Sequence, residues 1–316
     1  MKTRRDFLKT GLAIGAGLPL LANLNKLFAA DATVTTGTRV SATPAAAKSI
    51  LVAVRDGGRA AMLDKAMTSL GGMEAFVKKG QTVLVKPNIG WDSTPELGAD
   101  THPETVKRIV EMCLAAGAKS VSIFDNTCDQ WQRAYANSGI EKVAKETGAQ
   151  LVNGKDQTLY RQVEIPNGKK LHAAKIHSLV LDSDVFINVP VLKHHAGSLM
   201  TGCMKNLMGI IWDRGFYHRT DLHQCIADIL TLKKPTLNVL DAYAPMVRNG
   251  PRGNSADDLV VMRTLLVSTD IVAIDAAGAK LLNHQPSEVR HIAIAAGMNL
   301  GTMDLENVDI RRFKLA

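Results

Sequence analysis

Residues 184–228 read DVFINVPVLKHHAGSLMTGCMKNLMGIIWDRGFYHRTDLHQCIAD. The stretch opens on an apolar, β-branched run, Val185–Leu192, which is too short to span a membrane and has the composition of a buried strand. That run leads directly into Lys193, His194 and His195. Three glycines, Gly197, Gly202 and Gly209, then bracket Lys205-Asn206, and Asp213-Arg214 and His218-Arg219 follow. Ligands of open α/β sheets sit beyond the carboxyl ends of the strands, so polar residues massed after a buried strand mark where chemistry belongs.

The chain on either side supplies the sheet that such a strand requires. Upstream, strands are expected at Ser49–Val54, Thr82–Lys86, Ser120–Phe124 and Gln150–Val152. Helices are expected between them at Ala60–Leu70, His102–Ala116 and Gln130–Thr147. Thr101-His102-Pro103-Glu104 reads as a capping box for the second of these. The β-α alternation predicts parallel strands with helices on both faces. From Leu159 to Ile176 the period changes to two around Pro166-Asn167-Gly168, the pattern of an inserted hairpin.

Downstream, the expected elements are a helix at Asp221–Leu232, strands at Thr236–Leu240 and Thr264–Ser268, a helix from Asp270 to Leu282 and a last strand at Val308–Phe313. The fold class is therefore α/β, with parallel sheets, flanking helices, two Rossmann-like halves and an inserted β-hairpin. Residues 49–316 form this domain, as one unit or as two lobes of about 49–155 and 156–316.

The amino terminus reads as a targeting segment. Thr3-Arg4-Arg5-Asp6-Phe7-Leu8-Lys9 is a twin-arginine motif, Gly11–Ala22 is a weak apolar core, and Ala30-Asp31-Ala32 suits signal cleavage. Residues 1–32 are thus expected to be a twin-arginine signal peptide, and residues 33–48 a Thr/Ala/Ser/Pro linker. The expected partner is the twin-arginine export machinery, the location is periplasmic or otherwise exported, and the mature protein has no membrane span.

Removing residues 1–32 lowers the formal charge from +8 to +5. No run of five like charges and no basic stripe interleaved with aromatics occurs, which argues against nucleic acid. A mild positive excess suits a small anionic ligand. The four cysteines, at 113, 128, 203 and 225, contain no CxxC and encode neither a zinc ribbon nor a ferredoxin-type cluster. Cys113 reads as a buried small hydrophobe. No Walker loop, GxGxxG after a strand, HExxH or GxSxG elbow is present in the mature chain.

What remains is a set of polar groups at strand ends, expected to share one rim because parallel strands expose their carboxyl ends together. His195, His218 and Lys205 are the candidate catalytic residues, since imidazole and amine move protons near neutral pH. Lys86, Asn88, Lys193 and Asn206 are the candidates for holding substrate, the lysines as point charges for a carboxylate or phosphate. Asp125, His194 and Asp241 are the candidate metal ligands. Any one of these alone is more often a cap or a backbone partner.

The segments LVKPN (84–88), THPE (101–104), INVPVLKHH (187–195), MKNLMG (204–209), GPRG (250–253) and SADDLVVMRTLLVSTDIVAIDAAG (255–278) resemble the bacterial and archaeal family known as domain of unknown function 362, over roughly residues 50–300. Some members are joined to ferredoxin-like iron–sulfur modules, and this chain has none. A fainter similarity is to the nickel-pincer lactate racemases. In them a histidine is followed ten residues on by a lysine and then by a further histidine, as His195, Lys205 and His218 are here. In the racemases the lysine tethers the cofactor, the first histidine is an acid/base and the later one a nickel ligand; what the resemblance implies for this chain is that His195, Lys205 and His218 face one pocket. Asn206 and Leu207 replace the usual following residues, and the last spacing is shorter.

These readings converge on an exported enzyme that acts on a small anionic organic molecule with a metal ion or metal-containing cofactor of unknown identity. Its reaction class would be racemase- or isomerase-like acid–base chemistry. The alternative is a non-catalytic periplasmic metal- or iron–sulfur-associated partner of a redox system.

Overall fold

The computed structural model describes residues 19–20, 22–29 and 48–316. The arginine pair, the cleavage region and nearly all of the expected linker lie outside the described residues. Among the described residues twelve strands occur: β1 Ile50–Arg55, β2 Thr82–Pro87, β3 Ser120–Ile123, β4 Gln150–Leu151, β5 Tyr160–Glu164, β6 Ala173–His177, β7 Val185–Val189, β8 Val191–His195, β9 Leu199–Thr201, β10 Leu237–Met246, β11 Thr264–Ser268 and β12 Asp309–Lys314. Ten of them form one sheet in the order β12-β1-β11-β10-β7-β2-β3-β4, with β8 joined to β10 and β9 joined to β8. The hairpin β5–β6 stands apart as a second, antiparallel sheet.

Strand residues alternate between two helix layers with the period of two that a pleated strand imposes. Leu51, Leu84, Phe186, Leu240 and Leu266 face one core, which they share with helices 271–281 and 290–297. Val52, Val83, Val185, Val239 and Val267 face the other, under helices 59–69 and 103–115. Each such side chain contributes about 1.5–3 kcal/mol on burial. The sheet is mostly parallel, as expected, and strands from both candidate lobes lie side by side in it.

Several expected elements differ in detail. β11 runs antiparallel to both neighbours, β1 and β10. Its connection from β10 contains only a three-residue 3-10 turn at Ala256–Asp258, so no helical crossover forces a parallel return. The expected strand 185–192 is two strands. Pro190 has no N–H to give a ladder, and there the chain leaves β2, β7's neighbour, and continues as β8 against β10. The helix expected over 130–147 is broken into Trp131–Asn137 and Ile140–Thr147 by Gly139 at φ +77°. The helix after residue 102 is capped by the ring of His102, whose Nδ1 accepts from the Glu104 N–H at 3.3 Å. Thr101, expected as the cap, instead donates to the Val189 carbonyl at 2.6 Å.

Residues 22–28 are helical, with Leu24 and Leu27 buried against the body. Arg312 Nε donates to the Leu27 carbonyl at 2.6 Å, and Asn23 Nδ2 to Asn283 Oδ1 at 2.8 Å. Among the described residues no helix is long and apolar enough to cross a membrane.

Candidate active site

β2 ends in Lys86-Pro87, and the proline holds Lys86 extended with its side chain wholly buried. Its ammonium donates to the Pro87 carbonyl at 2.9 Å and to Asn206 Oδ1 at 2.9 Å, and pairs with Asp125 Oδ1 at 2.8 Å. Three donors thus have three acceptors. Burial pulls the Lys86 pKa below the ordinary lysine value, and the neighbouring Asp125 charge opposes it. Asp125 lies two residues past the end of β3, and its second oxygen accepts from the Ile89 N–H at 2.7 Å. Gly209 passes so close that a Cβ there would lie 1.8 Å from Asp125 Oδ1 and 2.7 Å from Lys86 Nζ.

Asn206 is equally committed. Its Nδ2 donates to Asn188 Oδ1 at 2.9 Å and to the Lys86 carbonyl at 3.3 Å, and Asn188 in turn donates to Asn238 Oδ1 at 3.0 Å. The candidate substrate groups Lys86 and Asn206 therefore brace the floor of the site with all their polar atoms engaged.

The short helix Cys203–Asn206 carries Lys205, and its start is held by a residue that the sequence reading left unused. Asp275, fully buried, accepts from the Cys203 N–H at 2.6 Å and the Met204 N–H at 2.9 Å. Burial lifts the Asp275 carboxyl to about 7, against the two amides that favour its ionised form. A lone aspartate inside the apolar helix IVAIDAAGAKL was the available signal, because unpaired acids are almost never fully buried.

Lys205 is only 8% exposed, and the polar contact of its Nζ is the thioether of Met208 at 3.1 Å. Among the described residues it makes no ion pair. Burial, with some repulsion from Arg214, brings its pKa down to about 7. His195 closes β8, and its Nδ1 accepts from the Gly197 N–H at 3.0 Å. The imidazole is held neutral, pulled down to about 3 by burial and then by Lys205 and Lys193, so its proton resides on Nε2. His218, in the helix Gly215–Arg219, is also pulled down by burial and by Lys205 and Arg214.

His195, Lys205 and His218 line one cavity of about 140 Å³. Asn88, Asp125, Lys193 and Asn206 share that lining, so seven of the ten sequence-flagged residues converge there. Lys86 lies behind the wall as Asp125's partner. Lys193 donates to the Ala99 carbonyl, and burial lowers its pKa to about 8 while raising that of Asp100. Arg214 and the exposed thiol of Cys128 complete the wall, and neither had been assigned a role. Arg214 donates to the Asn126 carbonyl and makes no ion pair among the described residues.

Two flagged residues lie elsewhere. Asp241 accepts from Arg59 Nε at 3.0 Å and Thr105 Oγ1 at 2.7 Å, in a separate crevice of about 20 Å³. His194 turns away to accept from the Gly250 N–H at 3.1 Å. The structure therefore does not bring Asp125, His194 and Asp241 together as a ligand set. Among the described residues no group of three or more His, Cys, Asp or Glu side chains is placed to hold a metal ion. A larger cavity of about 780 Å³ lies between residues 23–27 and the body, but it contains none of the sequence-flagged groups.

A thylakoid-associated protein of Synechocystis sp., sll1697, is 25% identical over 252 residues, 77% of this chain and 76% of its own length. The lactate racemase apoprotein from Thermoanaerobacterium thermosaccharolyticum is matched in structure at a TM-score of 0.43 and 14% identity, over 79% of this chain. This chain spans 56% of that racemase's length. The family described as Domain of unknown function (DUF362) matches residues 83–280, which hold every residue lining the cavity, and the chain belongs to that family.

Proposed function

We propose that the cavity binds a small organic anion and acts on it by proton transfer, making the protein an enzyme. The observation that carries this reading is Lys205: an amine buried inside a cavity, with a thioether for its polar contact and a pKa of about 7. A group so placed is a competent general base near neutrality. Arg214 and Lys193 supply positive charge for a carboxylate on the same wall, and the His195 Nε2–H supplies a donor to an oxygen on which negative charge develops. In this reading His195 acts as an electrophilic donor rather than as a base, because its basic nitrogen is already occupied.

The lining fits a bare metal ion poorly. Arg214 is cationic, Lys193 and Lys205 add positive charge whenever they are protonated, and Asp125 is engaged by Lys86. An anionic organic cofactor, by contrast, meets the same complementary charge as an anionic substrate.

The expected result is that short carboxylates such as lactate and pyruvate raise the melting temperature of the full chain, and that Arg214→Gln weakens the effect about tenfold or more in apparent affinity, as for loss of a charge-assisted pair. Turnover, once a substrate is found, should rise with pH through about 7, because the free amine is the active form. Binding unchanged in Arg214→Gln, or a rate that falls as pH rises through that range, would refute the assignment.

We also propose export by the twin-arginine route, on the strength of Arg4-Arg5 and Phe7-Leu8. Replacing both arginines by lysine should leave folded, uncleaved precursor in the cytoplasm on cell fractionation. Continued appearance of processed protein outside the cytoplasm would count against it.

A further inference from the structure

The wall around Lys205 offers more than a base. The helix turn that presents it is fixed from behind by Asp275, and its neighbours Met204, Leu207 and Met208 are buried and apolar. No carboxylate among the described residues neutralises it, and Arg214 and Lys193 stand on the same cavity wall. A desolvated lysine beside other cations is the arrangement that yields a nucleophilic amine. The cavity, about 140 Å³, is close to the roughly 150 Å³ that admits a six-heavy-atom ligand such as benzene. Three-carbon oxo acids also have about six heavy atoms, within the same limit.

We propose that Lys205 condenses with the carbonyl carbon of a short 2-oxo acid, forming an imine within the cavity. The proposal rests on the anion-binding reading above and names the substrate class of that site. The nitrogen lone pair attacks the carbonyl carbon, and the π pair moves to the carbonyl oxygen, which accepts the hydrogen bond of His195 Nε2–H. A proton passes from nitrogen to that oxygen, giving a neutral carbinolamine. The nitrogen lone pair then expels the hydroxyl group, which takes the remaining amine proton and leaves as water, and the C=N bond forms. No oxidant or reductant is needed. Arg214 holds the carboxylate and so fixes which carbon faces the amine. Protonated, the imine withdraws electrons from the adjacent carbon, the same role that a proton-transfer site asks of its substrate. At pH 7 an amine of pKa about 7 is half free, about a thousandfold more than an exposed lysine.

The test is reductive trapping. Full-length protein is incubated with pyruvate at pH 7.5, treated with borohydride, digested and analysed by mass spectrometry. The expected product is a single adduct on the peptide containing Lys205, heavier by the mass of the oxo acid less one oxygen atom. Trapping should fall to background in Lys205→Met and by about tenfold or more in Arg214→Gln, as for loss of a charge-assisted pair. An adduct spread over surface lysines, or undiminished in Lys205→Met, overturns the proposal. Pyruvate that shifts the melting temperature in an Arg214-dependent way without giving an adduct overturns the imine and leaves the anion site standing. No shift and no adduct overturns both.

Discussion

Lys205→Met is expected to melt higher than the wild type at pH 7 while losing ligand binding. Methionine keeps the apolar stem and removes a charge that the fold desolvates without an anionic partner. The direction with pH follows from proton counting. Unfolded, Lys205 keeps its proton up to about 10.5, whereas folded it releases it through about 7. The unfolded chain therefore binds more protons between those values, and wild-type stability rises with pH across that window. The methionine variant lacks that contribution. Its advantage should be largest at and below pH 7, a few kcal/mol by the usual conversion of a pKa shift, and should shrink toward pH 10.5. Lys86 remains in both proteins and is not coupled to Lys205, so it cancels in the difference. Melts recorded across pH 6–10 decide the matter: parallel curves would mean that Lys205 is solvated, and a methionine variant that melts lower at every pH would mean that it is a structural partner.

Asp125→Ala should have the opposite sign and a comparable size. It strands the Lys86 ammonium in a site that is fully closed, with two amide and carbonyl oxygens left as acceptors. Removing one member of a buried ion pair costs about 3–5 kcal/mol. Gly209→Ala should approach the same loss by a different route, since its Cβ would have to displace both Asp125 Oδ1 and Lys86 Nζ. Adding Lys86→Met to Asp125→Ala should recover part of the loss, because no charge then remains to be buried. Urea denaturation midpoints measure all three variants. A loss below about 1 kcal/mol for Asp125→Ala would show that water reaches the ammonium and that this pair is no part of a closed floor.

The convergence of Asn88, Asp125, Lys193 and His195 was legible because each follows a buried parallel strand, and strand period and topology are written in local patterns. Lys205 and His218 were legible from spacing after that strand. Asp241 was misplaced for a physical reason: β10 continues five residues past it to Met246, so its side chain meets Arg59 and Thr105 in the middle of a strand rather than at an end. The antiparallel β11 was obscured because an apolar run such as TLLVS carries no mark of its direction. Nor could the sequence reveal that Lys86 and Asn206, 120 positions apart, spend their polar atoms on each other; only the packed structure decides whether a lysine faces a ligand or a neighbour.

The amide chain from Lys86 through Asn206 and Asn188 to Asn238 ties together strands β2, β7 and β10 and the turn that bears Lys205. Such a chain links local fluctuation to global unfolding. The Cys203 and Met204 amides, bonded to Asp275 beneath it, cannot exchange with solvent by a small breath of the loop, because the turn that carries them is also tied directly to Asn188 of β7 and Lys86 of β2. In native-state hydrogen exchange these two amides should report the slowest opening of the molecule, although they lie a residue or two from the reactive amine. A rigid pedestal of this kind leaves mobility to the part of the wall where His218 and Arg214 ride on a short helix and its approach. Ligand entry would then be set by movement of that wall, and the position of Lys205 by the sheet.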